Sequence, residues 1–196
     1  MQFKVLMAST MAMMSVAANA QVLSWQGVGP VRLGMTVAEA ERALNAKLGP
    51  VSLPFSKECY VTGRADGKDK ALSYVVENSK IVAMTVFLPD HGQPNPNIVD
   101  ANGIGVGSTE SDIRRGYKLV EKMLAPDFRE SEEDRAERAK ERVKHGITTP
   151  EPSPHYWIVA EGPDHQRAII FETQDEKVLY LRMGLKPQVM SNEDCI

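Results

Sequence analysis

Two matching segments constrain the fold of this chain more than any other feature of its sequence. The first is VRLGMTVAE, residues 31–39, and the second is IGVGSTESD, residues 104–112. They carry a glycine and a threonine at matched positions, namely Gly34 with Gly107 and Thr36 with Thr109. Alternating apolar residues before each glycine are typical of a very short strand, and glycine tolerates the positive φ of a sharp turn. Each segment therefore predicts a short strand, a turn and the start of a helix.

Both threonines are predicted to be helix N-caps. An acid follows each threonine three residues later, which is the spacing of a capping box. The capping pairs are Thr36 with Glu39 and Thr109 with Asp112. Apolar residues at helical spacing then predict a first helix that runs to Leu48 and ends at Gly49-Pro50. The matching stripe of the second helix comprises Ile113, Tyr117, Val120 and Leu124.

Each helix is followed by a pattern of antiparallel strands. The first set is predicted at about 58–62, 70–77 and 80–88, with a tight turn at Asn78-Ser79 that joins the last two strands. The second set is predicted at about 155–160, 167–172 and 177–185, with the corresponding turn at residues 174–176. The fold class predicted from these patterns is α+β, with two tandem repeats that each combine a helix with an antiparallel sheet.

The predicted domains are a signal peptide at residues 1–20, repeat 1 at 21–100 and repeat 2 at 101–196. Repeat 2 carries an insertion at about 125–150, whose segment 127–145 is nearly all charged and has no apolar stripe. This insertion is predicted to be a solvated helical extension or a mobile loop outside the core. A solvated face is the simpler interpretation, and a protein-binding arm is the alternative.

The first 20 residues predict export from the cytoplasm. A single lysine precedes a small and apolar run, and Ala18-Asn19-Ala20 fits a signal-peptidase site, so cleavage is expected after Ala20. The run is short for a membrane span, and no transmembrane segment is expected in residues 21–196. The protein is therefore predicted to be periplasmic or secreted. A net charge of −3 argues against nucleic acid as a partner, because phosphates require clustered Lys and Arg.

The chain has two cysteines, Cys59 and Cys195. In an oxidising compartment a pair of cysteines predicts a disulfide, which would stabilise the fold by roughly 5 kcal/mol through loop closure. A catalytic Cys59 is the alternative, but no histidine is near it in sequence.

The segment LGMT at residues 33–36, followed by an amphipathic helix and a small sheet, resembles the small outer-membrane assembly lipoproteins. The tandem arrangement is similar to that of the β-lactamase inhibitor protein. The chain also resembles secreted bacterial proteins that have a Cys-Tyr strand, here Cys59-Tyr60, a helix start like residues 103–109 and a cysteine near the end, here Cys195. These relatives are mostly envelope binding proteins or secreted inhibitors, so the resemblance implies a recognition role. This chain lacks a lipidated cysteine, and its predicted disulfide would join the two repeats.

No motif predicts catalysis, a metal or a cofactor. The segment GIGVGST at residues 103–109 lacks the lysine of a P-loop and the third glycine of a dinucleotide fingerprint, so a helix start explains it better. The four histidines show no metal-ligand spacing. No catalytic residues, no metal ligands and no cofactor are therefore predicted.

Three aromatic residues are the candidates for protein binding, namely Tyr60, Tyr156 and Trp157. Tyr and Trp are common anchors at interfaces, although core packing is the simpler interpretation of the Tyr156-Trp157 pair. Tyr60 and Tyr156 are predicted on equivalent strands, and an open sheet face that carries them is the expected binding surface. The predicted function is non-enzymatic recognition of an unidentified protein partner, as an inhibitor-like or other binding module. The alternatives are a periplasmic hydrolase or small-ligand binder with a site invisible in the sequence, and a purely structural envelope component. The sequence predicts no oligomeric state.

Overall fold

The computed structural model describes residues 21–50, 56–88, 98–126, 131–149 and 153–191. Strands β1 to β8 span Gln21–Ser24, Gly27–Val28, Val31–Arg32, Leu48–Pro50, Cys59–Arg64, Leu72–Glu77, Lys80–Phe87 and Ile98–Asp100. Strands β9 to β12 span Glu121–Leu124, Tyr156–Glu161, Arg167–Gln174 and Lys177–Leu185. Helices α1, α2 and α3 span Val37–Leu44, Glu110–Gly116 and Glu132–Lys144.

Eight of these strands form one antiparallel sheet. Its strand order is β4-β5-β6-β7-β12-β11-β10-β9, so the first half of the chain supplies one side and the second half supplies the other. The two sides meet where β7 pairs with β12, with Ala83 opposite Gly184 and Thr85 opposite Arg182. We call this central pairing the β7–β12 seam. The remaining edges of the sheet are β4 and β9.

A second, smaller sheet forms from four short strands in the order β3-β2-β1-β8. Strand β1 pairs antiparallel with β2 and parallel with β8, which ties the start of the described chain to its middle. Leu23, Val28 and Val31 of this sheet are fully buried. The small sheet therefore covers part of the main core.

The main core lies on one face of the eight-stranded sheet, which we call the core face. It joins Tyr74, Met84 and Phe171 of that sheet to the small sheet and to the helices α1 and α2. Each of these helices contributes one fully buried residue, Ala40 or Ile113. Burying such apolar surface is the main source of stability in a fold of this kind.

The two helix starts predicted from the repeat are confirmed. In each, the threonine side chain accepts a hydrogen bond from the backbone N–H three residues on, and the acid reaches back to the threonine N–H. Gly34 and Gly107 have φ of 83° and 88°, as the sharp turns require. Gly34 N–H donates to Ile81 and Gly107 N–H donates to Val178, both at 2.8 Å. Each helix start is therefore fixed to the sheet in the same way.

The predicted helix ends are wrong. Helix α1 ends at Leu44, because Asn45 adopts the left-handed conformation with φ of 48°, and Leu48 begins β4. Helix α2 ends at Gly116, because Tyr117 is extended and donates a hydrogen bond from its hydroxyl to Asp100. The remaining residues of the second stripe lie outside the helix, and Leu124 belongs to β9. Pairing with the sheet therefore outweighs helical periodicity at both ends.

The charged insertion contains helix α3. Ser131 caps its N-terminus by accepting a hydrogen bond from the Asp134 N–H. Of its described side chains all are exposed except that of Arg142, which is half-buried. The prediction of a solvated helical extension is therefore confirmed for residues 132–144.

The predicted fold class of two tandem helix-plus-sheet repeats is wrong. The described residues are 43% strand and 20% helix, and the strands form two sheets of four and eight strands. The two halves do not form two separate copies of one sheet, because the β7–β12 seam joins four strands from each into the large sheet, and the small sheet comes entirely from residues 21–100. Such joining is favourable because two separate sheets would each leave an unpaired edge here. Of the small sheet only β3 was predicted, as the short strand before Gly34, because strands of two to four residues carry almost no periodic signal. The matching short strand predicted before Gly107 is wrong, since Gly105 forms only an isolated bridge with Val99.

The opposite face of the large sheet, which we call the outer face, is partly covered by the end of the described chain. A single 3-10 turn at Gln188–Met190 crosses it and buries Val189 fully. Arg182 on β12 donates to the carbonyls of Gln188 and Ser191, and Gln188 donates to Glu77 on β6. Residues 186–191 therefore cross the outer face and are tied to strands β6 and β12.

Candidate functional site

Trp157 lies inside the protein. It is only 2% exposed, and its indole Nε1–H donates a 2.7 Å hydrogen bond to Oε2 of Glu172. It packs on the outer face of the sheet against Val159, Ile170 and Val189. Trp157 therefore packs in the core, which is the simpler of its two predicted interpretations.

Glu172 is the centre of a buried polar cluster on the outer face. It is 7% exposed, and its Oε1 lies 2.5 Å from Nδ1 of His155. Burial, followed by a hydrogen bond to Glu172, raises the pKa of Tyr180 above its ordinary value. The carboxylate therefore orients the Trp157, His155 and Tyr180 side chains together. A carboxylate that orients a histidine ring is also one component of many hydrolytic sites.

Tyr156 lies on the core face, at a position closed by charged side chains. Lys122 Nζ stands 4.2 Å from the centroid of the Tyr156 ring, within cation–π distance. Lys122 also pairs with Glu110 at 2.8 Å, and Thr173 donates to the same carboxylate at 2.8 Å. Burial alone would raise the pKa of Glu110, but the hydrogen bonds from Lys122 and Thr173 outweigh it and lower that pKa. Tyr156 is therefore a half-buried part of the α2–β9–β10 contact.

Tyr60 lies in an open apolar cleft, which we call the Tyr60 cleft. The cleft has a volume of about 610 Å³ and lies between the start of α1, the edge strand β4 and strand β5. Its apolar lining includes Val37, Leu48, Pro50 and Tyr60, and its polar lining includes Lys57 and Thr62. Val37 is the first residue of α1, and Glu110 is the first residue of α2, so the two residues occupy equivalent positions. The Tyr60 cleft therefore corresponds to the place in the other half of the chain where Glu110 pairs with Lys122.

Tyr60 and Tyr156 lie on equivalent strands, the second from each edge of the large sheet. Both lie on the core face, which the helices and the small sheet cover. Four strands separate β5 from β10, so the two rings are about 24 Å apart at the usual strand spacing. The structure therefore does not bring the predicted aromatic residues together on one open sheet surface.

Cys59 is half-buried at the first residue of β5, beside the minor cluster of Val75, Val82 and Ala83. Cys195 lies outside the described residues. The disulfide between them stays a prediction.

A surface that was not predicted surrounds Leu119, between α2 and β9. Leu119 is 87% exposed, the highest value among the large apolar residues that the structure describes as exposed. It borders a recess of about 420 Å³ that is also lined by Val120, Val159 and Pro163. We call these four residues and their recess the Leu119 surface. It lies beside β9, one edge of the large sheet.

The rim of the Leu119 surface is charged but internally paired. Glu161 accepts hydrogen bonds from Lys186 and from His165, the latter at 3.0 Å, and Lys186 followed by His165 lowers the pKa of this carboxyl. An apolar centre with a polar rim is the usual arrangement of a protein interface. This surface was not predicted from the sequence, because the apolar stripe of the second helix predicts that the helix continues past Gly116. Gly116 itself was the available signal, since glycine disfavours a helix interior.

Neither a metal site nor a membrane-spanning helix is found in the described ranges. No group of three or more His, Cys, Asp or Glu side chains there could hold a metal ion. None of the helices described is long and apolar enough to cross a membrane.

Comparisons of the chain with protein-family models, with curated proteins and with solved structures gave no match. The resemblance drawn from the sequence motifs therefore stays a prediction.

Proposed function

We propose that this protein is an exported, non-enzymatic binding protein that recognises a partner protein through the Leu119 surface. The observation that carries the proposal is the exposure of Leu119, 87%, directly beside an apolar recess. Single exposed aliphatic residues are common on protein surfaces. An exposed leucine that adjoins a recess is more specific, because it can both insert into a partner and frame a pocket for the partner's own side chain.

The surroundings of Leu119 support a protein partner. Val159 is 4% exposed and forms an apolar floor, whereas Glu161 and His165 form a hydrated rim. Interface residues that contribute most of the binding energy lie in such water-excluding centres. The recess opens beside the short edge strand β9 of the large sheet.

The proposed location is the bacterial envelope or the extracellular space. The pattern of residues 1–20, which lie outside the described part, supports it. An oxidising compartment would also suit the predicted pairing of Cys59 with Cys195.

Affinity capture from envelope extract with two matched variants tests the recognition surface. Leu119→Asp places a charge at the centre of the surface, and Val143→Asp places the same charge on α3, where Val143 is 81% exposed. A partner captured by the unmodified protein should bind Leu119→Asp at least about thirtyfold more weakly, as expected for a residue central to an interface. Val143→Asp should bind it as the unmodified protein does.

A third variant separates the Leu119 surface from the charged helix. Deletion of residues 127–145 removes the segment that contains α3, so a partner that this variant alone fails to bind would assign recognition to α3 and contradict the proposal. Capture of no specific partner by the unmodified protein would also contradict it. Titration of the isolated partner by calorimetry then provides the dissociation constants.

A hydrolase is the second candidate function, and the pair of His155 with Glu172 favours it. The 2.5 Å contact at Nδ1 is the geometry in which a carboxylate orients a histidine for proton transfer. If this candidate is correct, hydrolysis of ester or amide substrates should be lost in His155→Gln and kept in Leu119→Asp. Under the leading proposal, neither variant affects any turnover, because the protein has none.

A further inference from the structure

The Tyr60 cleft is separate from the Leu119 surface and has the size of a small-molecule site. Its volume of about 610 Å³ falls within the usual range of roughly 300–1,000 Å³ for ligand pockets. The two sites adjoin opposite edges of the large sheet, because the cleft includes β4 and the Leu119 surface adjoins β9. A ligand in the cleft would therefore leave the recognition surface uncovered.

Two polar side chains of the described lining of the cleft already make hydrogen bonds within the protein. Thr62, which lines it, already donates its hydroxyl hydrogen to the carbonyl of Gly49 at 2.7 Å. Ser56 accepts hydrogen bonds from the N–H groups of Glu58 and Cys59, at 3.1 and 3.0 Å. Most of the remaining described lining is apolar, namely Val37, Leu48, Pro50 and Tyr60. The interior therefore favours an apolar ligand portion.

The charge of the lining is positive. Lys57 is exposed at the rim and, within the described part of the chain, the lining contains no Asp or Glu. Among the described residues Lys57 makes no ion pair with a protein carboxylate. A ligand with one negative charge next to its apolar portion would match this arrangement, whereas a cationic head would not.

The corresponding position in the other half shows what a closed cleft looks like. There Glu110 replaces Val37 at the first position of the helix, and it pairs with Lys122 above the Tyr156 ring. These side chains connect helix α2 to strands β9, β10 and β11. Val37 has no group that could pair with a lysine, so this half of the protein retains the opening.

We propose that the Tyr60 cleft binds the alkyl chain of a fatty-acid carboxylate, with the head group beside the Lys57 ammonium. The alkyl chain lies between Val37, Leu48 and Tyr60, and the single carboxylate charge is matched by the single lysine. A carboxylate rather than a phosphate monoester is inferred because one ammonium offsets one unit of charge. No covalent change accompanies binding.

Calorimetric titration of the purified protein, expressed from the full chain, tests the ligand class. The probes are dodecanoate, decanoate, dodecan-1-ol and dodecylamine, each below its micelle concentration. Dodecanoate should bind about 16-fold more tightly than decanoate, because each buried methylene contributes about fourfold. Dodecylamine should bind at least about threefold more weakly than dodecan-1-ol, owing to repulsion by Lys57.

Substitutions locate the ligand. Lys57→Gln should weaken dodecanoate by about threefold to fivefold and leave dodecan-1-ol unchanged, whereas Lys68→Gln, at another exposed lysine, should change neither. Val37→Glu should weaken every probe at least tenfold, because it places a carboxylate in the cleft as at Glu110. If Val37→Glu does not fold, Val37→Asn supplies the same test without a charge.

Three results would overturn the inference. They are no binding of dodecanoate, equal binding of dodecanoate and dodecylamine, or binding that Val37→Glu and Val37→Asn leave intact. The test is independent of the proposed function, because Leu119→Asp should bind dodecanoate normally whether or not a partner protein exists.

Discussion

Gly184 shows how one residue can determine the joining of two halves of a chain. It lies on β12 in the β7–β12 seam, opposite Ala83. A Cβ atom at this position would meet the carbonyl oxygen of Val82 at 2.7 Å and the Cβ of Ala83 at 2.8 Å. Both distances are shorter than real Cβ contacts, and the nearest atom is backbone, which cannot move aside without disturbing the pairing. The seam therefore depends on the absence of a side chain here.

Gly184→Ala should destabilise the protein by about 1–3 kcal/mol, as overpacking of a well-packed core does. Urea unfolding followed by circular dichroism measures the change. Gly49→Ala is the matched control, because its Cβ would meet Ala65 only at 3.4 Å, an ordinary contact, and Gly49 lies on the edge strand β4. Equal effects of the two substitutions would show that the close approach at the seam is not limiting.

The exposure of individual side chains could not be predicted from the sequence where it depends on which segment covers a face of the sheet. The strand alternation around Trp157 indicates which residues share a face, but it does not show that both faces are covered. Here the 3-10 turn at Gln188–Met190 covers the outer face near Trp157, and this contact is remote in sequence. The same limit applies to Leu119, whose exposure depends on where α2 ends.

At the level of elements, local signals were reliable and tertiary ones were not. The caps Thr36 and Thr109 were predicted correctly because a capping box involves only four consecutive residues. The turn at Asn78-Ser79 is also confirmed, with φ of 50° and 66° at its two residues. The helix ends could not be predicted, because they depend on pairing of β4 and β9 with strands elsewhere in the chain.

The stability of the folded protein should decrease at acid pH, because the contact of α2 with β9 includes the ionised carboxylate of Glu110. The pKa of Glu110 is lower in the folded protein than in the unfolded chain, where it is about 4.3. The ionised carboxylate therefore stabilises the folded state above the unfolded pKa, and this stabilisation is lost as the pH falls through the folded pKa. Glu110→Gln should therefore destabilise the protein by about 1 kcal/mol at pH 7 and by less at pH 3.

Urea unfolding at the two pH values measures this difference. Glu58→Gln is the control, because Glu58 is exposed and its side chain makes no ion pair with the other described residues, and it should show no such pH dependence. An effect of Glu110→Gln that is as large at pH 3 as at pH 7 would contradict an ionised pair with Lys122.

For the molecule as a whole, the large sheet leads us to expect that the protein unfolds as a single cooperative unit. Each half contributes four neighbouring strands, and the main core includes residues from all of these strands except β9. The sequence predicted two units because the strand patterns of each half are local, whereas the β7–β12 pairing links residues about 100 positions apart. No periodicity in a single sequence indicates which strands pair at such a distance.

Trp25→Phe leaves Trp157, on β10, as the only tryptophan, so its fluorescence reports on the second half of the chain. Its urea transition should coincide with the transition of the whole sheet measured by far-ultraviolet circular dichroism, as two-state unfolding requires. Separate midpoints would show that the halves unfold independently, and the wild-type protein measured in parallel controls for the substitution.

The β7–β12 seam also has a consequence for the protein as it is being synthesised. Strand β7, with the sequence KIVAMTVF, is complete long before β12 begins at Lys177. Until then one of its edges has no partner, and such an apolar edge is prone to pair with other chains. A ribosome adding about 5–20 residues per second needs several seconds to reach β12. The nascent chain therefore passes through an interval of aggregation risk, during which a chaperone or delayed folding would protect it.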